Sequence, residues 1–151
     1  MGWKRQAGFT LIELIIVIII LAILVAFAIP KYMSLDTTAR TNVVKGLQGA
    51  LRSTSAMVRV VGKATGGISG GAVTIDNSTG TPVTVAVNNQ TGYPLATNAG
   101  AVAALESTAG FTIASATPLL FTLNGASTPA NCSVTYTDGN PPAITVITTN
   151  C

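Results

Sequence analysis

An uninterrupted apolar run from Phe9 to Ile29, FTLIELIIVIIILAILVAFAI, is the feature that most limits what this chain can become. Built as a helix rising 1.5 Å per residue, the run is about 31 Å long, close to the roughly 30 Å hydrocarbon core of a bilayer. It is apolar on every side, so either protein or lipid has to cover it completely. The residues ahead of it, MGWKRQAG, carry Lys4 and Arg5 as their charges. By the positive-inside bias that leader stays cytoplasmic, while Lys31 and everything after it emerges in a periplasm-like space.

A cleaved secretory signal has a shorter apolar core that ends in small residues, whereas here the small residue Gly8 comes before the run. Only Ala26 to Ala28 mimics such a site. Glu13 separates the run from an ordinary membrane anchor, because an acid within a spanning helix costs about 2.5–3.5 kcal/mol on insertion scales. A compensating cation is therefore expected. Cleavage before Phe9 would create one, the new α-amino group four residues from Glu13. The amine of the same subunit and that of an axially shifted neighbour both fit this spacing, and the second arrangement would set the stagger of an assembly.

Gly8-Phe9-Thr10-Leu11-Ile12-Glu13-Leu14, behind a short basic leader, resembles the prepilin peptidase motif of type IV pilins and type II secretion pseudopilins. The resemblance implies an α+β type IV pilin fold, a long kinked N-terminal helix packed on a C-terminal antiparallel β-sheet head. It also implies cleavage between Gly8 and Phe9, N-methylation of Phe9, and a docking role for Glu13 in assembly against the amino terminus of another subunit. The implied partners are a prepilin peptidase, the pilus assembly machinery, the inner membrane before assembly, and further copies of the chain in a helical filament. The localisation that follows is an inner-membrane precursor with a periplasmic head and an extracellular pilus once assembled.

Four segments follow from the pattern: a leader at 1–8, a helix at 9–62, a glycine-rich connection at 63–71 and a head at 72–151. The helix divides at Pro30, where the missing backbone donor kinks or opens the ladder. Its first part, 9–29, is the transmembrane and filament-core half. The second, 30–62, is amphipathic, with Leu35, Ala39, Val43, Leu47, Ala50 or Leu51, Thr54, Val58 and Val61 recurring every three or four residues. Gly62 and the glycines that follow it, GKATGGISGG, are read as the helix stop and a flexible connection.

Beyond residue 71 the chain reads as short strands rich in valine, isoleucine and threonine: 72–75, 83–87, 111–114, 119–123, 132–137 and 143–148. Thr97 to Gly100 followed by Ala101 to Ser107 predicts a short capped helix. Gly92-Tyr93-Pro94 with this segment is similar to mannose-sensitive haemagglutinin-type pilins. Asp138-Gly139-Asn140-Pro141-Pro142 is a turn between the last two strands. Cys132 and Cys151, an even pair in a chain with an export-like start, read as a disulfide formed in an oxidising compartment. Such a C-terminal bridge is similar to that of many type IV pilins, and pseudopilins often lack it.

The charge distribution says more than the net charge of +3. Lys31, Arg40, Lys45, Arg52, Arg59 and Lys63 are the basic residues after the apolar run, and from Ala64 onward the only charges are Asp76, Glu106 and Asp138. A basic stalk and an acidic head suit a subunit that meets its own copies. Lys45, Arg52 and Arg59, seven apart, share one helix side. The row reads as a solvated or inter-subunit face, with nucleic-acid binding the less favoured alternative because no aromatic interleaves with the charges.

The absence of histidine removes the commonest general base and metal ligand. No cofactor, metal site or catalytic residue is expected, nor an enzyme. The sequence thus points to the structural subunit of a type IV pilus, the major pilin, for adhesion, motility or uptake. A secretion pseudopilin and a minor or DNA-binding pilin are the alternatives. Asn77-Ser78-Thr79, Asn89-Gln90-Thr91 and Asn131-Cys132-Ser133 fit the glycosylation triplet, as threonine-rich chains often do by chance, and are not read as glycan sites.

Overall fold

The computed structural model describes residues 8–76, 80–149 and 151. Helix α1 spans Leu11–Thr65, and six strands follow: β1 (Ala72–Asp76), β2 (Pro82–Ala86), β3 (Phe111–Ala114), β4 (Leu119–Leu123), β5 (Ser133–Thr137) and β6 (Ala143–Ile147). This is the expected α+β class. The chain divides into two units, one ending at Thr37 and the other running from Thr38 to Cys151.

In the first unit every described residue is exposed. Leucine, isoleucine, valine and phenylalanine favour burial, yet here they cover all sides of α1, from Leu11, 75% exposed, to Phe27, 76% exposed. This segment is long and apolar enough to cross a membrane. Pro30 lies inside α1 without ending it. Having no N–H, it leaves the carbonyl four residues back, on Ala26, without its helical donor.

In the second unit α1 buries one stripe, Val44, Leu47, Leu51, Ser55, Val58 and Gly62, at the three- and four-residue spacing that keeps side chains on one helix face. Two sheets share that stripe. The larger is antiparallel with strand order β3-β4-β5-β6, and its alternating residues Leu119, Phe121 and Leu123 of β4 join Val134 and Tyr136 of β5 over Val44, Leu47 and Leu51. Register is fixed by Phe111 opposite Leu123, Leu119 opposite Tyr136, and Thr135 opposite Thr145. The smaller sheet is the β1-β2 hairpin, whose Val73 and Val85 cluster with Val58. Further ties come from the side-chain amide of Gln48, which donates to the Ile144 carbonyl at 3.0 Å, and from Arg40, which donates to the Gly125 carbonyl.

Each expected strand is present, with ends within a residue or so of the sequence reading. Val87 lies just past β2 and bridges to Pro94 instead. The helix does not stop at Gly62. It runs to Thr65 and ends where Gly66 turns left-handed, at φ 72°. Gly62 has a different function, because a Cβ there would come within 2.7 Å of Val73 Cγ2 and 3.0 Å of Ile68 Cγ1. Glycine at 62 is what lets the hairpin lie close against the helix. The connection after the helix is a compact 3₁₀ turn, Gly67–Gly70, rather than an open loop.

The expected helix at 101–107 is also replaced. A single π-type turn, Asn98–Val102, starts from Thr97, whose hydroxyl accepts from Gly100 N. Gly100 packs so tightly that a Cβ would fall 2.2 Å from the Leu95 carbonyl oxygen. Only glycine fits at this position of the turn.

Candidate functional site

The first turn of α1 contains the acid that the apolar run has to accommodate. Glu13 Oε2 accepts hydrogen bonds from Thr10 N at 2.9 Å and from the Thr10 hydroxyl at 2.8 Å, and Thr10 Oγ1 in turn accepts from Glu13 N at 3.3 Å. This is a capping box, in which the cap residue and the third residue of the helix satisfy each other's backbone donors. The helix dipole adds to it, because its positive end lies at this turn. Glu13 therefore has compensation within its own chain, which the sequence reading had sought only in an amine. The signal was present in the sequence as Thr-x-x-Glu immediately before an apolar run. All the bonds to the carboxylate fall on Oε2, and among the described residues Oε1 has no hydrogen-bond partner.

Gly8 and Phe9 precede the helix, with Phe9 94% exposed, so the bond between them lies outside the helical ladder. A Cβ at Gly8 would meet nothing within 4 Å. Among the described residues, no packing requires glycine there. Lys4 and Arg5 lie outside the described residues, as does the Asn77-Ser78-Thr79 triplet.

Cys132 and Cys151 form a disulfide with Cα atoms 5.0 Å apart, and both are buried. The bridge ties the start of β5 to the last residue, and closing a loop of this size stabilises the fold by roughly 3 kcal/mol through lost chain entropy in the unfolded state.

The basic row is not uniform. Lys45 and Arg52 are exposed, while Arg59 is half-buried and committed to the head. Its Nε donates to the Thr91 carbonyl at 3.1 Å and its Nη1 to the Tyr93 hydroxyl at 3.2 Å, and its guanidinium carbon lies 4.7 Å from the Tyr93 ring centroid. The fold thus brings an aromatic to this row from a distant part of the sequence. Gly92-Tyr93-Pro94 accordingly has a packing role, completed by the Tyr136 hydroxyl, which donates to the Pro94 carbonyl at 2.8 Å. Burial, with smaller contributions from Asp138 and Tyr93, pushes the Tyr136 hydroxyl well above the usual phenol range. Among the described residues, no group of three or more acids or cysteines comes together to hold a metal ion.

Residues 3–29 match the prokaryotic N-terminal methylation motif. The chain is similar to a fimbrial protein of Pseudomonas aeruginosa, 47% identical over 62 residues, 40% of this chain and 39% of the relative. It is also similar to the type IV narrow pilus major component PilA5 of Thermus thermophilus, 46% identical over 59 residues, 39% of this chain and 51% of the relative. The N-terminal region is similar to that of type IV pilins. Like the motif itself, the region is also similar to the type II secretion system core protein G of Pseudomonas aeruginosa, 46% identical over 43 residues, 28% of this chain and 30% of the relative. The chain thus spans between about a third and a half of the length of these relatives. No solved structure matches the chain. A long apolar N-terminal helix followed by an antiparallel head is the α+β architecture of a type IV pilin.

Proposed function

We propose that this chain is a structural subunit of a type IV pilus, and its major subunit, with no catalytic role. A membrane peptidase cleaves between Gly8 and Phe9 and methylates the new Phe9 amine, so that 1–8 acts as a leader. The apolar half of α1 holds the precursor in the inner membrane with its head on the periplasmic side, and the assembly machinery then transfers it into an extracellular filament. Pro30 marks the boundary at which the helix can open as the subunit leaves the bilayer. Adhesion, motility or uptake follows from the polymer rather than from a site in the head.

The observation that carries this reading is the first turn of α1. The segment from Phe9 to Ile29 is apolar and exposed all round, yet it opens on an acid whose Oε2 is occupied by Thr10. For an ordinary anchor that acid does no more than cap its own helix. A subunit that has to accept a neighbour's ammonium has a further use for it, and Oε1 provides the acceptor. Gly8, which no packing among the described residues requires, fits the needs of a peptidase that binds the backbone closely.

A pseudopilin is the second reading, favoured by the similarity to a type II secretion core protein. The buried bridge at the C-terminus supports the pilin over it. Intact mass and N-terminal fragmentation of protein sheared from native cells tests both. An abundant chain starting at methylated Phe9, two hydrogens light for the bridge, is the expected result. A processed chain confined to membranes would favour the pseudopilin, and a chain that keeps Met1 would overturn the processing.

A further inference from the structure

Resting on the reading of the chain as a filament subunit, we propose that the heads of neighbouring copies dock through two grooves of opposite charge on opposite flanks of α1. Both grooves lie in the unit from Thr38 to Cys151. The first, about 580 Å³, is lined by Arg52, Ala56, Tyr93, Pro141, Pro142 and Ile144. The second, about 410 Å³, is lined by Met57, Ile75, Val83 and Leu105 together with Asp76 and Glu106.

Helix geometry separates them. At about 100° per residue, Arg52 lies about 100° to one side of buried Leu51 and Met57 about 120° to the other. Lys45 and Lys63 fall on the Arg52 side by the same count, so that flank carries further positive charge. Of the three charges that follow Ala64, Asp76 and Glu106 both line the second groove. The third, Asp138, lies outside that groove, and its Oδ1 accepts from Ala96 N at 2.6 Å. One flank of the molecule is therefore apolar and positive, and the other is apolar and negative.

Charge complementarity selects the occupant. The groove of opposite sign that each flank requires is present on every other copy of the same chain. A contact between two different patches of identical subunits is heterologous, and it repeats without closing unless the rotation happens to form a ring. It is therefore compatible with a filament, which a self-complementary patch is not. Met57, 60% exposed, supplies an adaptable apolar contact on the acidic flank. The charges set register and exclude misaligned approaches more than they add affinity.

Charge reversal in native cells tests this. Arg52→Glu and Glu106→Lys, both at exposed positions, should each lower the ratio of sheared to membrane-bound protein about tenfold, the effect of roughly 1.4 kcal/mol at a repeated contact. Processing before Phe9 and disulfide formation should stay at the wild-type level in both. The double variant, in which the signs are exchanged, should recover most of the loss. Wild-type filament yield from either single variant, or a double variant as depleted as the singles, would overturn the pairing of the grooves. If the wild-type chain itself gives no sheared filament, the filament reading fails, and the docking of copies fails with it.

Discussion

The hydroxyl of Tyr136 donates a 2.8 Å hydrogen bond to the backbone carbonyl of Pro94, joining β5 to a loop 42 positions earlier in the chain. Tyr136 is fully buried, and Asp138 two residues on accepts from Ala96 N, so the end of β5 holds the loop at two points. Tyr136→Phe removes one donor and leaves a carbonyl unsatisfied in a closed site. The expected loss is about 1–3 kcal/mol. For a head of this size that lowers the midpoint of thermal unfolding by several degrees per kcal/mol. Circular dichroism of the detergent-solubilised chain measures it, and an unchanged midpoint would show that the bond contributes nothing.

The same residue gives the head a pH dependence. Burial raises the Tyr136 pKa in the folded state, while the unfolded chain ionises near the ordinary phenol value of about 10. Above that value the folded state binds more protons than the unfolded one, so stability falls as pH rises. The contribution is fully present below about pH 10 and is lost progressively above it, toward the raised folded pKa. Urea midpoints should be flat with respect to this group up to about pH 10 and should then decline. Tyr136→Phe should lose that decline, and a variant that keeps it would place the titrating group elsewhere.

Much of this fold was legible because its signals are local. The strands declare themselves through β-branched residues between turn residues, and spacing picks out Leu47, Leu51 and Val58 of the buried stripe, although it points to Val43, which is exposed, where Val44 is the buried residue. What could not be read depends on contacts across the sequence. Gly62 reads as a helix stop until Val73 is seen against it, and Gly100 reads as part of a capped helix until Leu95 is seen to crowd it. Arg59 reads as one of a row of like charges until Tyr93 arrives from another segment. The capping box at Thr10 was readable in principle. The same acid carries both a membrane cost and a capping role, and Thr-x-x-Glu is the pattern of the second.

The glycines of α1 should separate by environment. Gly62→Val places atoms where Val73 Cγ2 already lies, 2.7 Å from a Cβ, and the hairpin has to shift. Overpacking of this kind costs about 1–3 kcal/mol. Gly46 and Gly49 are exposed helical positions at which a Cβ meets nothing within 4 Å. Gly46→Ala and Gly49→Ala should each stabilise the chain by up to about 1 kcal/mol, since alanine loses less backbone entropy in a helix. Thermal melts of the three variants in one detergent decide the matter. Equal effects at 46 and 62 would mean that the close approach of Val73 is immaterial.

Glu13 now has two possible duties, capping its own helix and accepting a neighbour's amine, and one pair of variants tells them apart. Glu13→Gln keeps an oxygen that can accept from Thr10 N and the Thr10 hydroxyl but removes the charge. Glu13→Ala removes both. A residue needed only as a cap would tolerate glutamine, whereas one needed to draw in an ammonium would not, since a neutral amide interacts with a cation far more weakly than a carboxylate does. Both variants should therefore enter the membrane at least as well as wild type, because an acid in the apolar segment is itself a cost to insertion. Both should be depleted from the sheared fraction to a similar degree. Filaments from Glu13→Gln at the wild-type level would assign Glu13 to capping alone and would remove the charge from the account of assembly.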